Sequence, residues 1–381
     1  MNRIEKNDSL NIAMLGHKRI PSREGGVEIV VEELSARMVQ AGHTVTCLNR
    51  SGHHVSGKIF DKKRLKEYKG IKLKTVPTFN RKGLAAMTAS VTGAFGAAAG
   101  NYDIVHFHAE GPCVMLWLPK LFRKRCVVTI HGLDHRRTKW GKLSSAYIML
   151  GERCAARYAD EIIVLSEGVR KYFMDTYGRE TKFIPNGVVR PRMVKANLIK
   201  KKYGLNGLDF ILFLGRIVPE KGLQYLIEAF RTVITDKKLV IAGGSSDTME
   251  FMKKLKKQSA GDRRIIFTGF VEGRLLEELY SNAYIYTLPS DLEGMPISLL
   301  EAMSYGNCCL TSDVPECADV IENNAVTFSR GDVKDLAKKL QSLCDSSECV
   351  AKYKSIASDY ICKKYNWDDV VERTLKLYRK G

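Results

Sequence analysis

The chain has 381 residues, 45% of them hydrophobic and 27% charged, enough for two domains that each bury a core and too ordered in composition for extended disorder. Its formal charge is +19, and the excess is uneven: residues 1–190 hold 32 Lys+Arg against 17 Asp+Glu, whereas residues 191–381 hold 29 against 25, so the net is +15 in the first half and +4 in the second. Ten cysteines occur without a C-x-x-C pair, which excludes a disulfide scaffold and a zinc-finger site, and no run of about 20 apolar residues suggests a signal peptide or membrane span.

In chain order, NIAMLG reads as a buried strand, HKRIPSREGG as a turn-rich loop, VEIVVEELSARMVQA as an amphipathic helix and GHTVTCLNR as the next strand, which together make a βαβ unit. Strand patterns recur at 71–77, 103–108, 126–131, 161–166 and 181–185, with helical stretches between most of them. Such alternation implies a parallel sheet covered on both faces. After NGVVRPRMVKANLIKKKYGLNGLD, where Asn, Gly, Pro and Lys accumulate, the same grammar restarts: DFILFLG, then RIVPEKG, then LQYLIEAFRTV, then KLVIAGG. Strand-like IIFTGF, AYIYTLPS, NCCLTSD and AVTFSRG follow. Two doubly wound domains result, and ligand loops in such sheets lie at the carboxyl ends of strands.

Three glycine-containing loops stand at equivalent places, each leading into a helix: Gly25-Gly26, Gly215 to Gly222, and Glu293-Gly294. Glycine lets backbone approach a ligand, and a helix start offers amide donors to an anion. Arg216 and Lys221 add two cations suited to a diphosphate, although each alone also suits a solvated surface. In SDLEGMPISLLEAMSYG two glutamates lie eight positions apart. Pro296 belongs to the first turn of the helix, leaving Glu293 in the loop before it and Glu301 two turns inside.

FLGRIVPEKG, FTGFV and PSDLEGMPISLLEAMSYG, in this order within one domain, resemble the nucleotide-sugar half of GT-B glycosyltransferases, most closely the retaining family 4 group with its E-x7-E signature. SREGGVEIVVEELSARMVQAGHTVT, DIVHFHAEGP, VVTIHGLD, ADEIIVLSEGVRKYF and KFIPNGV resemble the N-terminal domain of the same family. The resemblance implies an α/β GT-B fold of two Rossmann-like domains facing across a cleft. Residues 1–190 would bind the acceptor, residues 191–360 the nucleotide-sugar, and 361–381 would form a C-terminal helix packing back on the N-terminal domain.

It further implies that Glu301 binds the ribose hydroxyls, that Glu293 lies by the donor sugar and leaving diphosphate, and that the backbone of Gly294, Met295, Pro296 and Ile297 runs against sugar or phosphate oxygens. Arg216 and Lys221 would hold the diphosphate, Phe270 would pack near the base, and Gly25 and Gly26 would approach the diphosphate from the other side. His131, ending VVTIH, would sit near the reacting sugar. On the acceptor side stand Glu28, which suits contact with acceptor or a helix start equally, and His106 with His108, which alternate on one strand face and suit acceptor lining better than a metal pair lacking a third ligand.

The expected chemistry is retaining transfer from a nucleotide-sugar, with UDP the expected base carrier, to a saccharide acceptor linked to a lipid diphosphate, in envelope or capsular polysaccharide assembly. No cofactor or metal is expected, since no Asp-x-Asp motif is present and Asp291-x-Glu293 is absorbed by the glutamate pair. The basic first half implies a cytoplasmic protein peripheral to an anionic membrane, docked through residues 62–74, 81–82, 123–125 and 136–142. The competing readings are a GT-B nucleotide-sugar epimerase and a basic nucleic-acid-binding protein; the latter lacks aromatic-rich RNA motifs or an isolated helix-turn-helix. GHKRIPSREGG is not G-x-G-x-x-G, which sets aside a dinucleotide-dependent oxidoreductase.

Overall fold

The computed structural model describes residues 9–51, 65–79, 84–136, 141–244 and 249–379. The chain divides into two compact units, one formed by residues up to Asn186 together with those from Trp367 onward, the other by Gly187–Asn366. Ser347–Lys364, a helix of 18 residues, closes the second unit, and Val188 N–H donates to the Tyr365 carbonyl at 2.8 Å beside the departure point. The last helix, Trp367–Arg379, then packs in the first unit against Gly26–Gln40, with Arg37 stacked 5.7 Å from the Trp367 ring.

In the first unit eight strands form one sheet: β1 (Asn11–Leu15), β2 (Thr44–Arg50), β3 (Glu67–Tyr68), β4 (Ile71–Val76), β5 (Ile104–His108), β6 (Arg125–Ile130), β7 (Glu161–Val164) and β8 (Lys182–Phe183). Their order is β3-β4-β2-β1-β5-β6-β7-β8, parallel except for β3. The central strands are buried at nearly every position because helices cover both faces, and Ala13, Leu15, Val105, Phe107, Val128 and Ile130 share one core. The short β3 escapes sequence patterning. It exists because Lys69 and Gly70 both take positive φ, 50° and 77°, the two-residue geometry that turns a strand straight back on its neighbour.

The second unit holds β9 (Phe210–Leu214), β10 (Lys238–Ala242), β11 (Ile265–Gly269), β12 (Ile285–Leu288), β13 (Cys308–Ser312) and β14 (Val326–Phe328), all parallel, in the order β11-β10-β9-β12-β13-β14. Both sheets reverse direction of winding at their first strand: β2 and β5 flank β1, and β10 and β12 flank β9. Loops at such a switch point diverge to opposite faces and leave a crevice beyond the strand ends. The loops singled out in the sequence, after β1, β9 and β12, are the ones these switch points bring together within each unit.

Candidate active site

In the second unit the loops after β9 and β12 are locked to each other by backbone. Gly222 has φ +67°, and a Cβ there would lie 1.8 Å from the Pro289 carbonyl oxygen, so no other residue fits this crossing without moving one loop. The Asp291 amide donates to the Glu220 carbonyl at 2.9 Å. This sewing brings Lys221 Nζ to 2.5 Å from Glu293 Oε1, with both side chains nearly excluded from solvent, at 11% and 6% exposed. Ser290 Oγ donates to the same carboxylate oxygen at 2.6 Å, and Ser312 Oγ holds the Ser290 carbonyl at 2.5 Å. Nothing in the sequence marks Ser290 and Ser312 except their place, two residues past β12 and at the end of β13.

Arg216 is half-buried in the same loop and forms no ion pair among the described residues. Gly294, Met295, Pro296 and Ile297 are buried, and Pro296 lies one position earlier than expected, at the cap of the helix Ile297–Ser304. Its extended backbone, ψ 101°, ends the loop where the helical turn begins. Glu301 is part-exposed and accepts a hydrogen bond from Tyr280 Oη at 3.1 Å, while Tyr280 stacks on Tyr305 with ring centroids 5.2 Å apart. Phe270, half-buried, follows Gly269 at the end of β11. The candidates from β9, β11 and β12 thus share one edge of one sheet.

In the first unit Gly25 caps the helix Gly26–Gln40 in extended conformation. Glu28 turns back into the loop: it is buried, and its Oε1 accepts the Lys18 amide at 2.9 Å, so its carboxylate secures the loop in place of reaching outward to an acceptor. His17, also buried, sets its Nε2 3.0 Å from Asn49 Oδ1, and burial lowers its pKa to about 4.

His106 and His108 do lie on one face of β5, with ring centroids 4.2 Å apart, but they differ in role. His106 is fully buried, with Nδ1 against Tyr378 Oη at 2.6 Å and Nε2 against Thr129 Oγ1 at 2.8 Å. Both its nitrogens are consumed, so the expectation that it lines an acceptor site is corrected; it anchors the C-terminal helix. Burial takes its pKa down to about 3. His108 sits 3.0 Å from His131 Nε2 through Nδ1, and burial followed by the neighbouring histidines holds its pKa well below the ordinary value. His131, just past the end of β6, is the partly exposed member of this relay. One proton can sit between the facing His108 Nδ1 and His131 Nε2, so the tautomer of each ring depends on that of the other.

Two parallel-sheet α/β units with glycine-built loops at both switch points define the GT-B architecture. Family comparison then covers nearly all of the chain: residues 24–190 match the model described as "Glycosyltransferase Family 4" and residues 195–360 that of "Glycosyl transferases group 1". The chain belongs to the family 4 glycosyltransferases and is a glycosyltransferase. It is 23% identical to an uncharacterized glycosyltransferase of Methanocaldococcus jannaschii, covering 97% of this chain and 98% of that one. It is 29% identical, over 56% of this chain and 58% of the relative, to the UDP-Gal:alpha-D-GlcNAc-diphosphoundecaprenol alpha-1,3-galactosyltransferase of Escherichia coli. In fold it matches Anabaena HepE, solved in complex with UDP and glucose, with TM-score 0.79 at 16% identity over 96% and 98% of the two chains.

Proposed function

We propose that the protein is a retaining glycosyltransferase that moves a sugar from a UDP-sugar to a saccharide carried on a lipid diphosphate, in the assembly of a cell-envelope or capsular polysaccharide. The observation that carries this reading is the buried Lys221–Glu293 pair at the switch point of the second unit, with Arg216 beside it in the same loop. A diphosphate leaving group gains charge as its bond to the sugar breaks, and fixed cations in a dry pocket stabilise that charge more in the transition state than in the ground state. Lys221 and Arg216 supply this without a metal. Glu293 holds Lys221 in place and carries a second oxygen that can meet a sugar hydroxyl. Glu301, steadied by Tyr280, takes the ribose hydroxyls, and the departing phosphate accepts the proton of the incoming acceptor. His131, in contact with His108, binds a hydroxyl of the transferred sugar.

The UDP assignment draws support from the fold shared with HepE and from the donor named for the E. coli relative, and the lipid-linked acceptor from that relative alone. The experiment is a panel of sugar-nucleotides assayed for thermal stabilisation and slow hydrolysis, with and without excess chelator. A UDP-sugar should stabilise and be hydrolysed at a rate unchanged by chelator. Release of an epimerised sugar without acceptor would replace transfer by epimerisation, and indifference to all sugar-nucleotides would end the reading.

Two variants separate phosphate from ribose contacts. Arg216→Ala should weaken UDP by roughly tenfold to a hundredfold, the range for a lost hydrogen bond to a charged group, while leaving uridine binding nearly unchanged. Glu301→Ala should weaken both UDP and uridine. Calorimetric titration of each ligand decides, and equal losses for UDP and uridine in Arg216→Ala would remove its phosphate role.

The membrane reading gains an apolar element. The helix Leu84–Ala99 buries Ala94 and Ala98 against Leu118 of the short helix Trp117–Leu121. Its opposite stripe, Leu84, Met87, Val91 and Phe95, is exposed, as are Leu121 at 70% and Phe122 at 57%, next to Arg123 and Lys124. An exposed apolar stripe beside cations is the composition of an interfacial anchor. Arg125 is not among its cations, because its guanidinium donates to the Leu377 carbonyl at 2.8 Å inside the unit. Residues 62–64, 81–82 and 137–140 of the basic runs lie outside the described residues. No described helix is long and apolar enough to cross a membrane.

Wild-type protein should co-sediment with anionic liposomes at low salt and be released as salt rises, since each cation near an anionic leaflet contributes about 1 kcal/mol. The double variant Leu121→Ser, Phe122→Ser should bind several-fold less at every salt concentration while keeping donor affinity. Wild-type indifference to anionic liposomes at low salt would leave a soluble acceptor as the better reading.

A further inference from the structure

Apart from the loops already described, the first unit gathers Glu110, His135 and Glu152 so that one ligand atom from each lies within 4.8 Å of the others. Glu110 follows β5 at the start of a short helical turn, Gly111–Met115, and is fully buried. His135 belongs to the turn Asp134–Arg136 after β6. Glu152 lies in the helix Lys142–Tyr158, next to Gly151, where a Cβ would come 2.1 Å from the Glu110 carbonyl oxygen. That glycine is what lets the helix approach closely enough for the two carboxylates to converge.

Each side chain is oriented by a contact on its far atom. Glu110 Oε1 accepts the Asp134 amide at 2.9 Å. Glu152 Oε1 accepts two phenols, Tyr172 Oη at 2.7 Å and Tyr177 Oη at 2.5 Å. The near atoms, Glu110 Oε2, Glu152 Oε2 and His135 Nδ1, are buried and have no hydrogen bond among the described residues, although His135 Nδ1 lies 3.2 Å from Glu152 Oε2. Glu110 and Glu152 are both fully excluded from solvent, and two carboxylates so placed repel unless something between them is positive. One proton satisfies one pair of these atoms. A cation satisfies all three at once.

We infer that Glu110, His135 and Glu152 bind a divalent transition-metal cation of the Zn2+ or Mn2+ class, outside the transfer machinery. One imidazole nitrogen and two carboxylate oxygens suit these ions, and ligands about 2.1 Å from a tetrahedral ion stand about 3.4 Å apart, within the spread observed. The phenols and the amide form the outer contacts that metal-binding carboxylates require. His135, with 14% of its side chain exposed, gives the ion an entry path. Bound there, the ion ties the loops after β5 and β6 to the helix Lys142–Tyr158 and, through Tyr172 and Tyr177, to the helix Glu167–Tyr177. Its role is to hold these elements of the first unit together.

The test uses the full chain, stripped with chelator and titrated with Mn2+ alone, a hard ion that the ten thiols bind poorly, with bound ion read by electron paramagnetic resonance. One equivalent should bind and raise the melting temperature by several degrees. Co2+ should give visible ligand-field bands without thiolate charge transfer. Glu110→Gln, which keeps the side chain's size, and His135→Ala, on a short surface turn, should each weaken Mn2+ by roughly a hundredfold or more, and Tyr177→Phe by about tenfold. Donor binding to the second unit should be unaltered by any of the three variants, so this result and the sugar-nucleotide panel fail separately. Absence of Mn2+ and Co2+ binding to wild type, or binding unchanged in His135→Ala, would overturn the inference and leave a proton shared between the carboxylates.

Discussion

Lys221→Met is expected to lower sugar-transfer turnover by about a hundredfold or more, and Glu293→Gln by a similar factor, with donor affinity changed much less in the second variant. The motivation is that Lys221 and Glu293 are in direct contact, 2.5 Å apart, buried, and fixed by Ser290 at the switch point between β9 and β12. A transition-state contact of about 3 kcal/mol corresponds to roughly a hundredfold in rate. Because each residue positions the other, their effects should not add, and the double variant should be little worse than either single one, with a coupling energy of about 1–3 kcal/mol. A merely structural pair predicts otherwise. Breaking a buried ion pair costs about 3–5 kcal/mol of stability, which would appear in the melting temperature with kcat intact in whatever remains folded. Measuring kcat, KM and thermal unfolding on the same preparations separates the two, and wild-type kcat in a folded Lys221→Met protein would remove the pair from the reaction.

The second unit's candidate site was legible in the sequence because the residues proposed for it are loop residues at strand ends: glycines where backbones cross, and charges beside them. Gly222 is a clear instance, since positive φ and a 1.8 Å approach to Pro289 leave one residue type possible. What the sequence did not carry was the direction of side chains on buried strands. His106 and His108 are identical in pattern, two apart on β5, yet one spends both nitrogens on Thr129 and Tyr378 and the other turns to His131. Tyr378 lies 272 residues away, beyond any periodicity argument. Arg125 shows the same limit. In sequence it belongs to a basic run, and in the structure the last helix claims it through the Leu377 carbonyl. Glu110, His135 and Glu152 come from three separate elements, and their convergence depends on a glycine whose neighbour is invisible until the helix is docked.

Acid should destabilise the first unit from about pH 6.5 downward, before carboxylates of ordinary pKa are protonated. His17 and His106 are buried and neutral, with pKa lowered by burial to about 4 and about 3, while in the unfolded chain each returns to about 6.5. Above pH 6.5 neither state binds protons at these sites and nothing is lost. As pH falls below 6.5 the unfolded chain takes up protons that the native state refuses, so stability declines, and the decline continues until each native pKa is reached. At pH 5 the difference is about 2 kcal/mol for each histidine, or about 4 kcal/mol for the pair, a large part of a domain's total stability. Urea unfolding of the chelator-treated protein at a series of pH values between 7.5 and 5 measures it, read through the midpoint at constant m-value. His106→Gln removes one of the two groups while retaining a side chain able to meet Thr129. The gap between wild type and variant should therefore narrow as pH falls, by close to 1.4 kcal/mol per pH unit below the histidine's unfolded pKa, and changes from carboxylates cancel in the comparison. A gap that stays constant from pH 7.5 to 5 would mean that His106 titrates alike in both states, and that its place between Tyr378 and Thr129 is not held by a neutral ring.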